Sequence, residues 1–206
     1  GRLIKSVNTA LRLTAIIAFP SAALFGLLPG PVLSLLFSRA SDVAIAAPLL
    51  ARLAGATVLS EFTSVTSAIP QGAGWMKVPM IATAIGGLAK LASNYFLIGN
   101  RDINIKGAPI GTTLCYLIVF LINIIAIYKK CGFVPKISEF ILKPAICGAF
   151  AAFAAYWIYN GLLNHLSSAV SITTSLLAAF VLYILTLVIT GTVKNEDKEL
   201  IPFYTG

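Results

Sequence analysis

Apolar residues fall along this chain in six long runs, each bounded by a short segment rich in polar or helix-breaking residues. The runs extend from about Leu11 to Phe37, Val43 to Ile69, Val78 to Gly99, Gly107 to Tyr128, Phe140 to Tyr159 and Ser168 to Gly191. Each has the roughly 20 residues that a helix needs to cross the hydrocarbon core of a bilayer. Strands are excluded physically: an open sheet edge cannot be satisfied in lipid, and barrel strands are alternating segments about half as long. The pattern therefore predicts an all-α, polytopic membrane bundle of about six transmembrane helices. Between the runs stand Ser38 to Asp42, Pro70-Gln71-Gly72-Ala73-Gly74, Asn100-Arg101-Asp102 and Lys129-Lys130-Cys131-Gly132. Connectors this short predict antiparallel neighbours. Pro70 is expected to end the second helix, Pro79 to open the third, and Pro20 to leave either a fixed bend or a hinge in the first.

Composition agrees with a membrane chain. Of 206 residues, 58% are hydrophobic and 11% charged, against about a quarter charged in ordinary soluble domains. The net charge of +8 is not a nucleic-acid signature, because the basic residues form no patch with interleaved aromatics. They gather instead at the ends of the apolar runs. One side of the predicted bundle holds Arg2, Lys5, Arg12, Lys77, Lys129, Lys130, Lys136, Lys143, Lys194 and Lys198; the other holds Arg39, Arg101 and Lys106. By the positive-inside rule both termini are expected in the cytoplasm, and the chain in the cytoplasmic (inner) membrane. The mixed run Lys194-Asn195-Glu196-Asp197-Lys198-Glu199 reads as a solvated end to the sixth helix.

Chemistry inside the spans is sparse. Cys115, Cys131 and Cys147 are too scattered for a disulfide framework or a metal cluster, and read as small packing residues. His165 is the only histidine, and it sits in a connector. No metal set, phosphate loop or Ser/His/Asp arrangement can be placed, so neither an enzyme nor a cofactor is expected.

Three charged residues lie within apolar runs, where each costs a few kcal/mol unless it meets a partner or a wet cavity. Thr57, Ser60, Glu61, Ser64 and Ser67 form one polar stripe on the second helix. Arg52, nine residues before Glu61, points to the opposite side with Thr63 and Thr66. Two readings of Arg52 stand: an anchor whose stem snorkels to the headgroups, or a charge offered to a substrate. Glu61 reads either as an acid held by an internal bond or as a site coupling transport to a proton or cation; as a buried carboxyl it should hold its proton more tightly than usual. Lys90 shares its face with Thr83, Gly86, Gly87 and Asn94, a small and polar stripe suited to close packing beside a wet cavity. Counting along the helices sets Lys90 and Glu61 about 10 Å apart in depth. Lys90 is expected either to pair with Glu61 across that step or to face an anionic headgroup.

The order of several short motifs carries a family resemblance. The first span runs Leu11-Arg12-Leu13-Thr14, Phe19-Pro20-Ser21-Ala22, then Pro31-Val32-Leu33-Ser34-Leu35-Leu36-Phe37. Ile69-Pro70-Gln71-Gly72 precedes Lys77-Val78-Pro79, then come Lys90, Asn94, Leu97-Ile98 and Ile105-Lys106-Gly107-Ala108-Pro109-Ile110-Gly111-Thr112. The tail Glu196-Asp197 through Leu200-Ile201-Pro202 completes the series. This order resembles the MOP (MATE-like) exporters, in the branch of stage V sporulation protein B, the lipid II flippase and the polysaccharide exporters. The sequence departs from the branch at Pro70, where an aliphatic residue is commoner, and at Pro109, where Ala is; both departures concern helix ends.

The resemblance implies a two-lobe transporter of about fourteen helices, of which this chain is the last six. Residues 1–130 would be four helices of the second lobe, and 131–206 two additional helices with a short cytoplasmic tail. The missing N-terminal lobe would be the facing wall, so the chain alone is not expected to transport. The implied activity is alternating-access flipping of a lipid-linked anionic glycan, associated in spore formers with cortex peptidoglycan. Lys90, Asn94 and Arg52 are the substrate-binding candidates and Glu61 the ion-coupling candidate. The expected partners are that lipid-linked glycan, membrane lipid and the missing lobe, with no nucleic acid. The competing readings are a cation-coupled drug or solute antiporter and a non-transporting scaffold for cell-wall enzymes.

Overall fold

A break at Leu28 divides the first apolar run. The computed structural model describes residues 2–132 and 137–191, and in it α1 (Arg2–Leu27) is followed by the short helix α2 (Pro29–Ser34). The expected single helix to Phe37 is thus corrected. Leu28 precedes a proline, which disfavours helical backbone, and it takes φ −124°, ψ 42°. Its side chain is buried among Ala155, Tyr159 and Ile172. Five further helices follow: α3 (Ala40–Gly72), α4 (Lys77–Ile98), α5 (Ala108–Cys131), α6 (Ile137–Leu162) and α7 (Ser168–Ile189). A 3₁₀ turn, Asn104–Gly107, leads into α5. Among the described residues there is no strand. Six of the helices are long and apolar enough to cross a membrane, so the chain is a multi-pass membrane bundle.

Prolines move two expected boundaries. Pro70 does not end its helix; α3 runs to Gly72 with Pro70 buried inside it, and Pro48 also lies within α3. Pro20 lies within α1, which continues through it. A proline forfeits one backbone bond, and neighbouring helices in a membrane bundle make that tolerable. At its other end α5 stops where expected, at Gly132, whose φ of +63° closes the helix with a bond from its N–H to the Tyr128 carbonyl of 2.8 Å. α6 begins three residues before the apolar run and so takes Glu139 into the helix.

The helices pack in the order α4, α5, α3, α1, α6, α7, with α2 laid on α3 and α7. Sequence neighbours α3 and α4 touch only slightly, contrary to what their short connector predicts. α5 returns between them and takes the main contact of each. The centre of α1, α3 and α5 is an aromatic stack. Phe62 meets Phe19 and Phe120 edge-on, each at 6.4 Å between ring centroids, beside buried Leu11 and Ala15. Such pairs add about 0.5–1.5 kcal/mol each beyond the area they bury.

Small residues set the close approaches, as van der Waals packing requires where lipid supplies no hydrophobic drive. A Cβ on Gly148 of α6 would lie 2.9 Å from the backbone nitrogen of Pro20 in α1. A Cβ on Gly86 of α4 would meet Val119 and the Cys115 carbonyl of α5. Tyr183 of α7 donates to the Ile16 carbonyl at 2.6 Å, tying α7 across to α1.

We call proximal the end at which α1 begins and α7 finishes, and distal the opposite end. The proximal end holds two basic clasps. Lys130 lies 4.3 Å from the Trp75 ring centroid, and Lys143 donates to the Thr190 carbonyl at 3.2 Å beside the end of α7. Lys136, Lys194, Lys198 and the tail motif lie outside the described residues.

Candidate functional site

The site candidates are positioned by α5. At about 100° per residue, Gly111, Cys115 and Val119 face α4, while Tyr116, Phe120 and Asn123 face α3. These two directions differ by roughly 120°, so α3 and α4 flank one side of α5 and leave an angle between them. Polar contacts lock the α3–α5 seam. Thr63 donates to the Tyr116 carbonyl at 3.1 Å, and Asn123 donates to Ser67 at 2.8 Å.

On α4, Lys90 stands about 40° from each of Gly86 and Asn94, the residues that meet α5, so it lies on the α5-facing side of its helix. Lys90 is half-buried and makes no hydrogen bond or ion pair among the described residues. On α3, Ser60, Ser64 and Thr57 border the angle between α3 and α4. Their hydroxyls bond back to their own helix, to the carbonyls of Thr57, Ser60 and Ala54 at 2.8, 3.0 and 2.7 Å. Hydroxyls satisfied in this way can line a bilayer-depth surface dry, and can accept a bond from water or a ligand when it is wet.

Glu61 departs from its expected environment. It is exposed, not enclosed, and forms neither a hydrogen bond nor an ion pair among the described residues. It lies at the outer edge of the α3 stripe, about 60° beyond Ser64. The depth estimate for Glu61 and Lys90 also changes. Gly86 meets Cys115 and Val119, and Gly111 meets Asn94, so Lys90 lies between those levels. Through the bond from Thr63 to Tyr116, that level corresponds to the turn of α3 holding Ser60 and Glu61. The two charges stand at about the same depth, not 10 Å apart, and what separates them is rotation. Counting from connectors misjudged this because α3 has 33 residues and α4 has 22.

Asn94 lies against α5. A Cβ on Gly111 would collide with its amide, and its Oδ1 is buried without a hydrogen-bond partner. Asn94 and Lys90 therefore stand on the same, α5-facing side of α4. Arg52 lies on the other side of α3, where Thr63 and Thr66 are buried. It reaches the start of α5, with Nη1 at 3.5 Å from the Lys106 carbonyl. The structure thus sets Lys90 on the α5-facing side of α4, leaves Glu61 exposed on α3, and places Arg52 at the start of α5.

Sequence reasoning passed over two buried polar residues. Asn123 is fully buried, with Oδ1 lacking a partner. Arg12, read as a basic flank, is only 6% exposed. For Asn123 the available signal was its spacing, more than a full turn inside its apolar run; Arg12 stands one residue inside its run and gave no such signal. No group of His, Cys, Asp or Glu that could hold a metal occurs among the described residues.

Residues 1–96 match the MatE family model. No curated protein and no solved structure matches the chain. The matched stretch takes in α1, α2, α3 and most of α4, and with them Arg52, Glu61, Lys90 and Asn94. Together with six membrane-spanning helices, this match supports a membrane transporter of the MATE-like (MOP) superfamily.

Proposed function

We propose that the chain is part of an exporter that moves a lipid-linked anionic glycan precursor, peptidoglycan lipid II or a polysaccharide repeat unit, across the cytoplasmic membrane by alternating access. The observation that carries this reading is Lys90: a half-buried ammonium within a membrane span, with no hydrogen bond or ion pair among the described residues. An uncompensated cation at that depth is costly, and a phosphate or pyrophosphate arriving there would compensate it. The α3 hydroxyls supply acceptors for the sugar, and Asn94 stands on the same side of α4 as Lys90. The slight contact between α3 and α4 leaves the angle open to a facing wall, the remaining lobe of a longer protein. Rocking of one lobe on the other then exposes Lys90 to each leaflet in turn. Glu61, exposed on α3, is placed to exchange a proton or cation as the angle opens and closes.

Complementation of a flippase-depleted strain by the full-length protein tests this. Lys90→Ala should abolish rescue at unchanged membrane abundance, Lys90→Arg should restore part of it, and Glu61→Ala should leave headgroup recognition intact. Full rescue by Lys90→Ala overturns the assignment. Drug efflux that depends on Glu61, with no effect of Lys90→Ala on rescue, would indicate a cation-coupled antiporter instead.

A further inference from the structure

At the distal end, beside the start of α5, the structure forms a second cationic site. Arg52 and Lys106 stand at the mouth of a groove of about 490 Å³ between α3 and α5. Both side chains are exposed, and neither meets a carboxylate among the described residues. Among the described residues the one bond of Arg52 is the long one to the Lys106 backbone carbonyl, 3.5 Å, and both residues line the groove. Below them the wall is apolar: Ile110, Leu114 and Leu117 are all exposed. Thr113 turns its hydroxyl back to the Pro109 carbonyl at 2.8 Å, so it asks nothing of an occupant. The apolar stripe continues along α5 through Leu121 and Ile125, 47% and 51% exposed. From Ile110 to Ile125 it descends about 22 Å, more than one leaflet of a hydrocarbon core of about 30 Å.

Depth gives the two cations their meaning. Arg52 is twelve residues into α3, but Lys106 precedes α5, so both lie at the level where α5 enters the membrane. A pair of positive charges at an interface, continuous with an apolar stripe running into the bilayer, matches a molecule with an anionic head and acyl tails. We infer that Arg52 and Lys106 form a binding site for an anionic glycerophospholipid of the surrounding membrane, phosphate at the two cations and one acyl chain along Ile110, Leu114 and Leu117. A zwitterionic lipid gains less, because its own ammonium offsets the charge that the two cations attract. A soluble anion leaves the apolar wall unused. The site is separate from the Lys90 surface, and its existence does not depend on what the transporter carries.

Native mass spectrometry of the full-length protein, offered equal amounts of phosphatidylglycerol and phosphatidylcholine, tests the inference. Each basic residue near an anionic lipid surface is worth about a fivefold preference, so retention should favour phosphatidylglycerol by about tenfold or more. The Arg52→Gln, Lys106→Gln double variant should bring the two lipids to parity. The charge-conserving Arg52→Lys, Lys106→Arg pair should keep the preference, which guards against a folding defect in the first pair. Lys77→Gln, at the exposed proximal end, should leave it unchanged. Parity in the unaltered protein, or a preference that survives Arg52→Gln, Lys106→Gln, overturns the site, as does equal loss on Lys77→Gln. So does displacement of the lipid by inorganic phosphate, which would assign the cations to a soluble anion, or exclusion of lipid because another helix of the protein fills the groove.

Discussion

Gly148 and Pro20 show how much of this bundle rests on single atoms. Proline leaves α1 without one backbone N–H, and the absence of a side chain on Gly148 lets α6 come close to that point. The contact is backbone against side-chain-free backbone, so a larger residue has nowhere to turn. Gly148→Val is expected to destabilise the protein by about 1–3 kcal/mol, read as a lower melting temperature in detergent, whereas Gly161→Ala, where nothing stands within 4 Å, should change little. Equal melting of the two variants would remove the crossing point from the account. The same residue-scale logic separates the charged candidates. The sequence shows that Arg52 and Glu61 point apart, since nine residues along a helix fix that relation. It does not show which of the two faces a neighbour. Arg52 turns out to reach α5, and Glu61 lies open, because the packing of α3 against α1 and α5 covers other faces.

At the scale of elements, the helices themselves were legible. Apolar runs of spanning length, Gly132 at the end of α5 and the turn after Gly72 are local signals, and the structure follows them within a few residues. Two errors share a cause. Leu28 interrupts α1, and Pro70 fails to interrupt α3, because a proline's effect depends on whether neighbouring helices satisfy what it leaves open. The pairing of α3 with α5 in preference to α4 was not legible at all. Connector length limits which helices can be adjacent but does not choose among them; Thr63, Ser67 and Asn123 on one seam, and Gly86 and Gly111 on the other, make the choice. This arrangement predicts a cross-linking result. In a background without native cysteines, Ser64→Cys with Gly87→Cys should be joined by a short flexible bifunctional reagent of about 10 Å, since the two lie on facing edges at similar depth. Arg52→Cys with Gly87→Cys should not. Joining of both pairs alike would refute the angle between α3 and α4.

For the whole molecule, six crossings return the chain to the end where it began, and the proximal end carries Lys77, Lys129, Lys130 and Lys143. With Arg39, Arg101 and Lys106 at the distal end, we predict from the positive-inside rule that the proximal end faces the cytoplasm. A reporter active only in the cytoplasm, fused to the C-terminus, should be active; activity restricted to an exported reporter would reverse the orientation, and with it the leaflet assigned to the Arg52 groove. The molecule also presents its polar surface asymmetrically. Arg52 and Lys106 line a groove beside α5, while Lys90 lies on the α5-facing side of α4, so the cations have different neighbours.

The sequence by itself determined the membrane class, the number of spans, their approximate limits and the charged residues worth attention. All of these follow from local hydropathy and charge, which a bilayer reads one segment at a time. Only the tertiary structure decided that α5 lies between α3 and α4, that Lys90 and Glu61 share a depth but not a direction, and that Arg52 belongs with Lys106. Those relations depend on helix register and on which face meets which partner. They are set by a few small residues and hydrogen bonds far apart in the chain, and no periodicity within a single helix encodes them.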